Sequence, residues 1–267
     1  MNNFLERKGP IFRRCLPLWL AAAALFIAPV QAEEPSGAQT DQADVEYRDP
    51  RDPFEPVNRW IWDFNYNVLD KHLYRPVTYF YIDWVPEGAQ IGVENFLKNI
   101  DEPSSAVNNL LQGKVKWSAN AAGRFVINTT LGIVGIFDVA SNMGLERKQD
   151  EFGEVLGYWG VSDGPYLMLP VLGPSTVRDE VGDFVDGLYF PYAHLTFWQK
   201  TARWALDGLA TRAKLVDQEP ILDNSLDPYV FVKEGYYQYI AYNLYDGNPP
   251  IEEDDDELLE EYLDEIE

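Results

Sequence analysis

Residues 125–140 read FVINTTLGIVGIFDVA, an apolar run interrupted by Gly132 and Gly135 and closed by Asp138. As a helix it would measure about 24 Å at 1.5 Å per residue, short of the roughly 30 Å hydrocarbon core of a bilayer. Both glycines weaken a helix. Asp138 would cost roughly 2.5–3.5 kcal/mol at a bilayer centre, but little near an interface or a watery channel. The run therefore does not cross a membrane. It either packs inside a core or dips into one leaflet as a glycine-broken helical hairpin.

The ends of the chain bear on that choice. Residues 1–32 set four basic side chains ahead of an apolar run from Leu16 to Ala28 and a small-residue site at Val30-Gln31-Ala32. That layout is a secretory signal peptide, with cleavage expected after Ala32. The run is too short for a spanning helix, and Arg13-Arg14 leaves the export route open between the general and twin-arginine pathways. Cys15 is the only cysteine and precedes the apolar core. Cleavage would leave no disulfide, thiolate nucleophile or cysteine metal ligand.

The remainder carries 17 basic and 43 acidic residues. Residues 33–49 read as a flexible polar lead-in, 50–247 as one folded domain, and 248–267 as an acidic tail. Residues 251–267 alone hold eleven acids and no base. This charge repels nucleic acid, whose phosphates demand clustered Lys and Arg.

Within 50–247 the chain is punctuated by helix signals. Asp52-Pro53-Phe54-Glu55 has the form of an N-cap with a capping box. The spacing of Val57, Trp60, Ile61, Phe64 and Val68 predicts one apolar helix face, ending before Pro76. A helix with so much further aromatic bulk is either deeply packed or faces lipid. Glu102-Pro103 reads as a second start, stopped by Gly113, and a third helix begins near Val115. Thr176 with Asp179 caps a helix whose stripe is Val177, Val181, Phe184 and Leu188. Further helices are predicted over 196–216 and from Asp227-Pro228. Residues 152–175 are too rich in glycine and proline for a regular helix and read as a long functional loop. Strand signals are scarce, so the fold class is mainly α.

Catalytic signals are few. Gly160-Val161-Ser162-Asp163-Gly164 matches G-x-S-x-G, the nucleophile elbow of serine hydrolases, but Pro165 follows and no long helix starts after Ser162. His72 and His194 are the only histidines available as a base, and their spacing matches no metal site. No G-x-x-x-x-G-K-[ST] is present, so any energy input must lie in partners; no cofactor is expected. The 8 tryptophans and 16 tyrosines suit core packing and equally a membrane interface.

Several blocks in consistent order over residues 49–245 carry a family resemblance. They are DPFEPVNRWIWDFNYNVLD, RPVTYFYIDWVP, NFLKNIDEPSSAVNNLLQG, RFVINTTLGIVGIFDVAS, FGEVLGYWGVSDGPYLMLPVLGPSTVRDEVGD and SLDPYVFVKEGYYQY. Together they resemble the MlaA family, also called VacJ, of Gram-negative outer membranes. The resemblance implies a single ring-shaped helical domain lying in the periplasmic leaflet of the outer membrane, with a central amphipathic channel and trimeric porins as partners. It implies a non-enzymatic function: phospholipids mislocalised to the outer leaflet are removed and passed to a soluble periplasmic carrier. One departure is that family members are typically lipoproteins, whereas no lipid-acceptor cysteine follows the apolar core here. A porin-binding scaffold and an exported hydrolase using Ser162 are the competing readings.

Within that frame Gly132 and Gly135 are candidate hinge or gate residues, or else points where two helices touch. Asn128 and Asp138 either face a watery channel or cap helix ends. Arg178 and Asp179 are candidates for anchoring the long loop.

Overall fold

The helix signals of the sequence become a mainly helical architecture with one small sheet. The computed structural model describes residues 49–250. The expected signal peptide and its cleavage at Ala32, the lead-in up to residue 48 and residues 251–267 lie outside the described residues.

Helix α1 spans Glu55–Asp63 and passes into an eleven-residue π-helical stretch, Phe64–Tyr74, which leads directly into α2, Arg75–Trp84. The stop expected before Pro76 is therefore not made. The register changes at Arg75, and Pro76 falls in the first turn of α2, where its missing N–H costs least. The expected cap at Asp52 is also replaced: Phe54 is the N-cap residue. Tertiary partners take the Asp52 carboxylate instead. It accepts from Asn58 Nδ2 at 2.8 Å and from the Tyr229 hydroxyl, with Lys233 Nζ at 3.6 Å.

Helix α3 covers Glu87–Leu111 and runs straight through Pro103, so the start read at Glu102-Pro103 lies inside it. Gly113, at φ +77°, ends α3 as expected. The Gly113 N–H reaches the Leu110 carbonyl and the Lys114 N–H that of Asn109, the paired bonds of a Schellman stop. Helix α4 follows at Val115–Thr130 and packs along α3. After a turn comes the four-residue α5, Val139–Asn142.

Residues 152–175 are more ordered than a loop. They hold helix α6, Phe152–Tyr158, and an antiparallel hairpin of β1, Tyr166–Leu169, and β2, Gly173–Thr176. Glycine is tolerated in α6 because α7, Val177–Asp186, crosses it closely: a Cβ on Gly182 would lie 2.8 Å from the Gly153 Cα. Thr176 caps α7, its hydroxyl accepting from the Asp179 N–H. Helix α8 is Phe197–Lys214, α9 is Glu219–Asp223, and α10 is Pro228–Leu244, capped by Asp227. The apolar cluster of Tyr166, Met168 and Tyr229 joins the hairpin to α1 and α10.

The faces of these helices are inverted relative to a soluble protein. On α7 Val177, Val181 and Phe184 are exposed, as is Leu188 just beyond its end, while Arg178 and Gly182 are buried. On α1, Trp60 is 72% exposed and Asn58 only 3%. The inner side of α3 is Asn99, Glu102, Ser104, Ser105, Asn108 and Asn109, with only Leu97 as a large apolar member. Among the described residues no helix is long and apolar enough to cross a membrane.

Candidate functional site

Two features stand on this frame, a strained turn and a water-reached acidic cavity. The turn is residues 131–138, between α4 and α5. Ile133 and Val134 take φ of 52° and 59°, the left-handed region that branched side chains rarely enter, and Gly135 takes φ 93°. Leu131, Ile133, Val134 and Phe137 all point outward. Polar groups from α3 hold the turn: Asn99 Nδ2 donates to Thr129 Oγ1 at 3.0 Å, and Asn95 Nδ2 to the Ile136 carbonyl at 3.2 Å.

Arg124 of α4 anchors the far side of the turn and is 2% exposed. Its Nε donates to Glu102 Oε1 of α3 at 2.7 Å and its Nη2 to Asp138 Oδ2 at 3.0 Å. Its Nη1 reaches Ser141 Oγ and the Leu145 carbonyl. Asp138 also accepts from Asn128 Nδ2 and from the Ser141 N–H and so caps α5. Burial would raise the Asp138 carboxyl, but these hydrogen bonds outweigh it and hold the group far below the usual carboxylate range. Asn128 is itself buried, with its amide oxygen accepting from the Ala140 N–H at 2.8 Å. Of the two roles open to Asp138, the cap is the one with hydrogen bonds to show. Asn128 faces the turn rather than water.

Neither glycine has room for a side chain. A Cβ on Gly132 would collide with the Phe137 carbonyl and lie 2.6 Å from that of Asn128. A Cβ on Gly135 would lie 2.8 Å from Asn99 Cγ. The geometry thus supplies a close-approach reason for both glycines.

The cavity lies beside the start of α6. It measures about 610 Å³ and is walled by the 146–151 segment, α6 and the end of α10, with Trp117 of α4. Glu151 and Glu154 open α6 as a capping box. Protein packs closely around the Glu151 carboxylate, but the residue is exposed to water, as is Asp183. Burial, then Glu154, Asp183, Asp186 and Asp101, push it up to about 8. Burial and Asp150 bring Glu154 to about 7, against Lys114. Burial and Glu180 bring Asp183 to about 7. Nearby cations are committed elsewhere. Arg203 of α8 bonds Asp101 at 2.7 Å, Arg147 lies 3.4 Å from Glu102, and Lys148 pairs with Asp246 at 2.7 Å. Among the described residues Glu151 and Glu154 make no ion pair.

These raised groups have a consequence for stability. Their folded pKa values lie above the unfolded values of about 4, so the folded state binds their protons more tightly. Their contribution is complete below the unfolded values and is lost as pH climbs toward about 8. The thermal midpoint is expected to fall between about pH 5 and about pH 8, and the E151Q/E154Q variant to flatten that slope. A midpoint flat in both proteins would contradict the raised values.

Arg178 and Asp179 sit at the opposite end of α7. Arg178 is 5% exposed and pairs with Asp163, while its N–H donates to the Asp163 carbonyl at 3.1 Å. Asp179 accepts the Tyr236 hydroxyl of α10. Ser162 lies on a segment without regular structure, and the next helix starts only at Val177. The strand-to-helix turn of a nucleophile elbow is not formed around it.

The sequence profile of the MlaA lipoprotein family matches residues 50–243. This chain belongs to the MlaA family. It is 43% identical over 190 residues to the intermembrane phospholipid transport system lipoprotein MlaA of Escherichia coli strain K12, covering 70% of this chain and 76% of that one. The protein of the same name in Haemophilus influenzae is 34% identical over 223 residues, covering 80% and 87%. A solved structure described as the structural basis for maintenance of bacterial outer membrane lipid asymmetry is similar with a TM-score of 0.69 at 44% identity, covering 72% of this chain and 98% of that one. The family match includes the turn, the Arg124 network, Glu151, Glu154 and α7, and stops short of Asp246 at the cavity rim.

Sequence reasoning singled out the turn and the start of α7 but passed over Arg124, Glu151, Glu154 and Asp183. Only Glu151-x-x-Glu154 left a local trace, in the spacing of a capping box.

Proposed function

We propose that this MlaA-family chain is a component of intermembrane phospholipid transport that maintains outer-membrane lipid asymmetry. The observation that carries this reading is the inverted surface: apolar stripes outside, charged and amide side chains inside. An exposed stripe such as Val177, Val181 and Phe184 is costly in water and at home among acyl chains. A polar, water-reached interior is what a charged headgroup needs while its tails stay in the leaflet.

In this reading the chain lies in the periplasmic leaflet and gives phospholipids from the outer leaflet a passive path. Trimeric porins are its membrane partners and a soluble periplasmic carrier is the acceptor. Both follow from the family resemblance. The 131–138 turn is the proposed gate, since it presents apolar side chains on a strained backbone.

The test is passage of labelled phospholipid from vesicles holding the full chain to a soluble acceptor. Passage above protein-free vesicles is expected; porin binding without passage would favour the scaffold reading. Phe184→Glu removes about 1.5–3 kcal/mol of apolar burial in the leaflet. It is expected to weaken vesicle flotation by about ten-fold or more, whereas unchanged flotation would contradict an outward face seated in lipid.

A further inference from the structure

The cavity walled by α6 and the end of α10 has an excess of acceptors and a lack of free cations. Glu151 accepts from Gln149 Nε2 at 3.1 Å, and Glu154 from the Glu151 N–H at 3.0 Å, and neither has a basic partner among the described residues. A second, independent imbalance lies behind the same wall. Asn108 of α3 and Gln112 at its C-cap are almost fully buried and donate to Asp150, to the carbonyl at 3.1 Å and to Oδ2 at 2.9 Å. The amide oxygens of both, Asn108 Oδ1 and Gln112 Oε1, have no donor. These two oxygens lie behind Asp150 and do not line the cavity, so the need for a multi-donor cation rests on Glu151 and Glu154 at its wall.

Three aromatic rings, Trp117, Tyr239 and Tyr242, line the same space. Aromatic faces attract ammonium groups, most strongly where water is partly excluded. Arg147 and Lys148 also line the wall; each is already shared with an acid, Glu102 and Asp246, and keeps further N–H groups for a second acceptor. Its volume of about 610 Å³ falls in the range of sites that enclose small ligands.

We propose that this cavity receives the zwitterionic headgroup of an ethanolamine-type phospholipid, with the ammonium at Glu151 and Glu154 and the phosphodiester toward Arg147 and Lys148. Purely anionic headgroups such as phosphoglycerol are disfavoured, because they bring no cation to the carboxylates. This headgroup preference rests on the reading of the chain as a phospholipid path. Desolvation by the surrounding protein, with the neighbouring acids, raises both Glu151 and Glu154, as expected of carboxylates without a resident cation. The charged groups that face them are Asp179, Asp183 and Asp186 of α7, Asp101 of α3, and Asp150 with Lys114. Tyr239 of α10 faces Glu151 and is itself raised, chiefly by burial.

The full-length protein is incubated with mixed micelles of equal phosphatidylethanolamine and phosphatidylglycerol, reisolated, and its bound lipid measured by mass spectrometry. Charge-assisted hydrogen bonds to the ammonium predict enrichment of phosphatidylethanolamine on the order of ten-fold over the input. In E151Q/E154Q, which keeps the capping-box acceptors, the ratio is expected to fall toward the input. The unaltered protein gives a second measure: its enrichment is expected to grow from about pH 6 to about pH 8.5 as the carboxylates ionise. Bound lipid at the input ratio, or enrichment that ignores both pH and the double substitution, would overturn the headgroup assignment and leave the lipid path standing. No bound phospholipid at all would overturn the path and the assignment together.

Discussion

Replacing Arg124 by methionine is expected to destabilise the protein by about 3 kcal/mol or more. Glu102 would stay buried with its 2.7 Å partner gone, and an uncompensated buried charge is what makes breaking such pairs expensive. Arg147, 3.4 Å from Glu102, keeps part of the compensation, which places the loss nearer 3 than 5 kcal/mol. The same substitution releases Asp138, Ser141 and the Leu145 carbonyl, so amide exchange over 131–141 should quicken more than elsewhere. Arg124→Lys keeps a charge but not the fork that reaches four acceptors, and should fall between. Denaturant unfolding in detergent checks the ranking. A cost for Arg124→Met below about 1 kcal/mol would mean that the network does not hold the turn.

Gly135→Ala is expected to cost about 2–4 kcal/mol, from two sources that add. The backbone at φ 93° is closed to a Cβ, and that Cβ would press on Asn99. Asn99 would have to move, giving up its 3.0 Å bond to Thr129. The control is Gly208→Ala on α8, where nothing lies within 4 Å of the new methyl group. There the helix should gain about 0.5–1 kcal/mol. Equal thermal shifts in the two variants would contradict the close approach at Gly135. If the turn also gates lipid, Gly135→Ala should change the rate of passage by more than Gly208→Ala does.

The parts of the fold legible in the sequence are those set by local chemistry. Thr176 and Asp227 start helices because a side-chain oxygen meets backbone N–H groups two or three residues on. Gly113 ends one because only glycine enters that φ freely. The two misread prolines show where local rules lose. Pro76 is absorbed by a change from π to α register. Pro103 sits in a helix whose neighbouring residue, Glu102, is tied to Arg124.

Periodicity located the stripes of α1 and α7 but left their sense open, since the same spacing serves a core or a leaflet. The polar partners on the opposite sides, Asn58 and Arg178, decide it by being buried. The acidic cavity was hidden for a different reason. In a chain with 44 acids, sequence proximity of two carboxylates is uninformative. Glu151 and Asp183 become neighbours only through the crossing of α6 and α7 at Gly153 and Gly182, a long-range fact.

The most direct test of lipid transport is made in the bacterium. Outer-leaflet aminophospholipid is labelled on intact cells with and without this chain. Loss of the chain is expected to raise the labelled lipid, and its return to restore the low level. An outer leaflet unchanged by the loss, in cells with no second family member, would contradict a role in phospholipid transport.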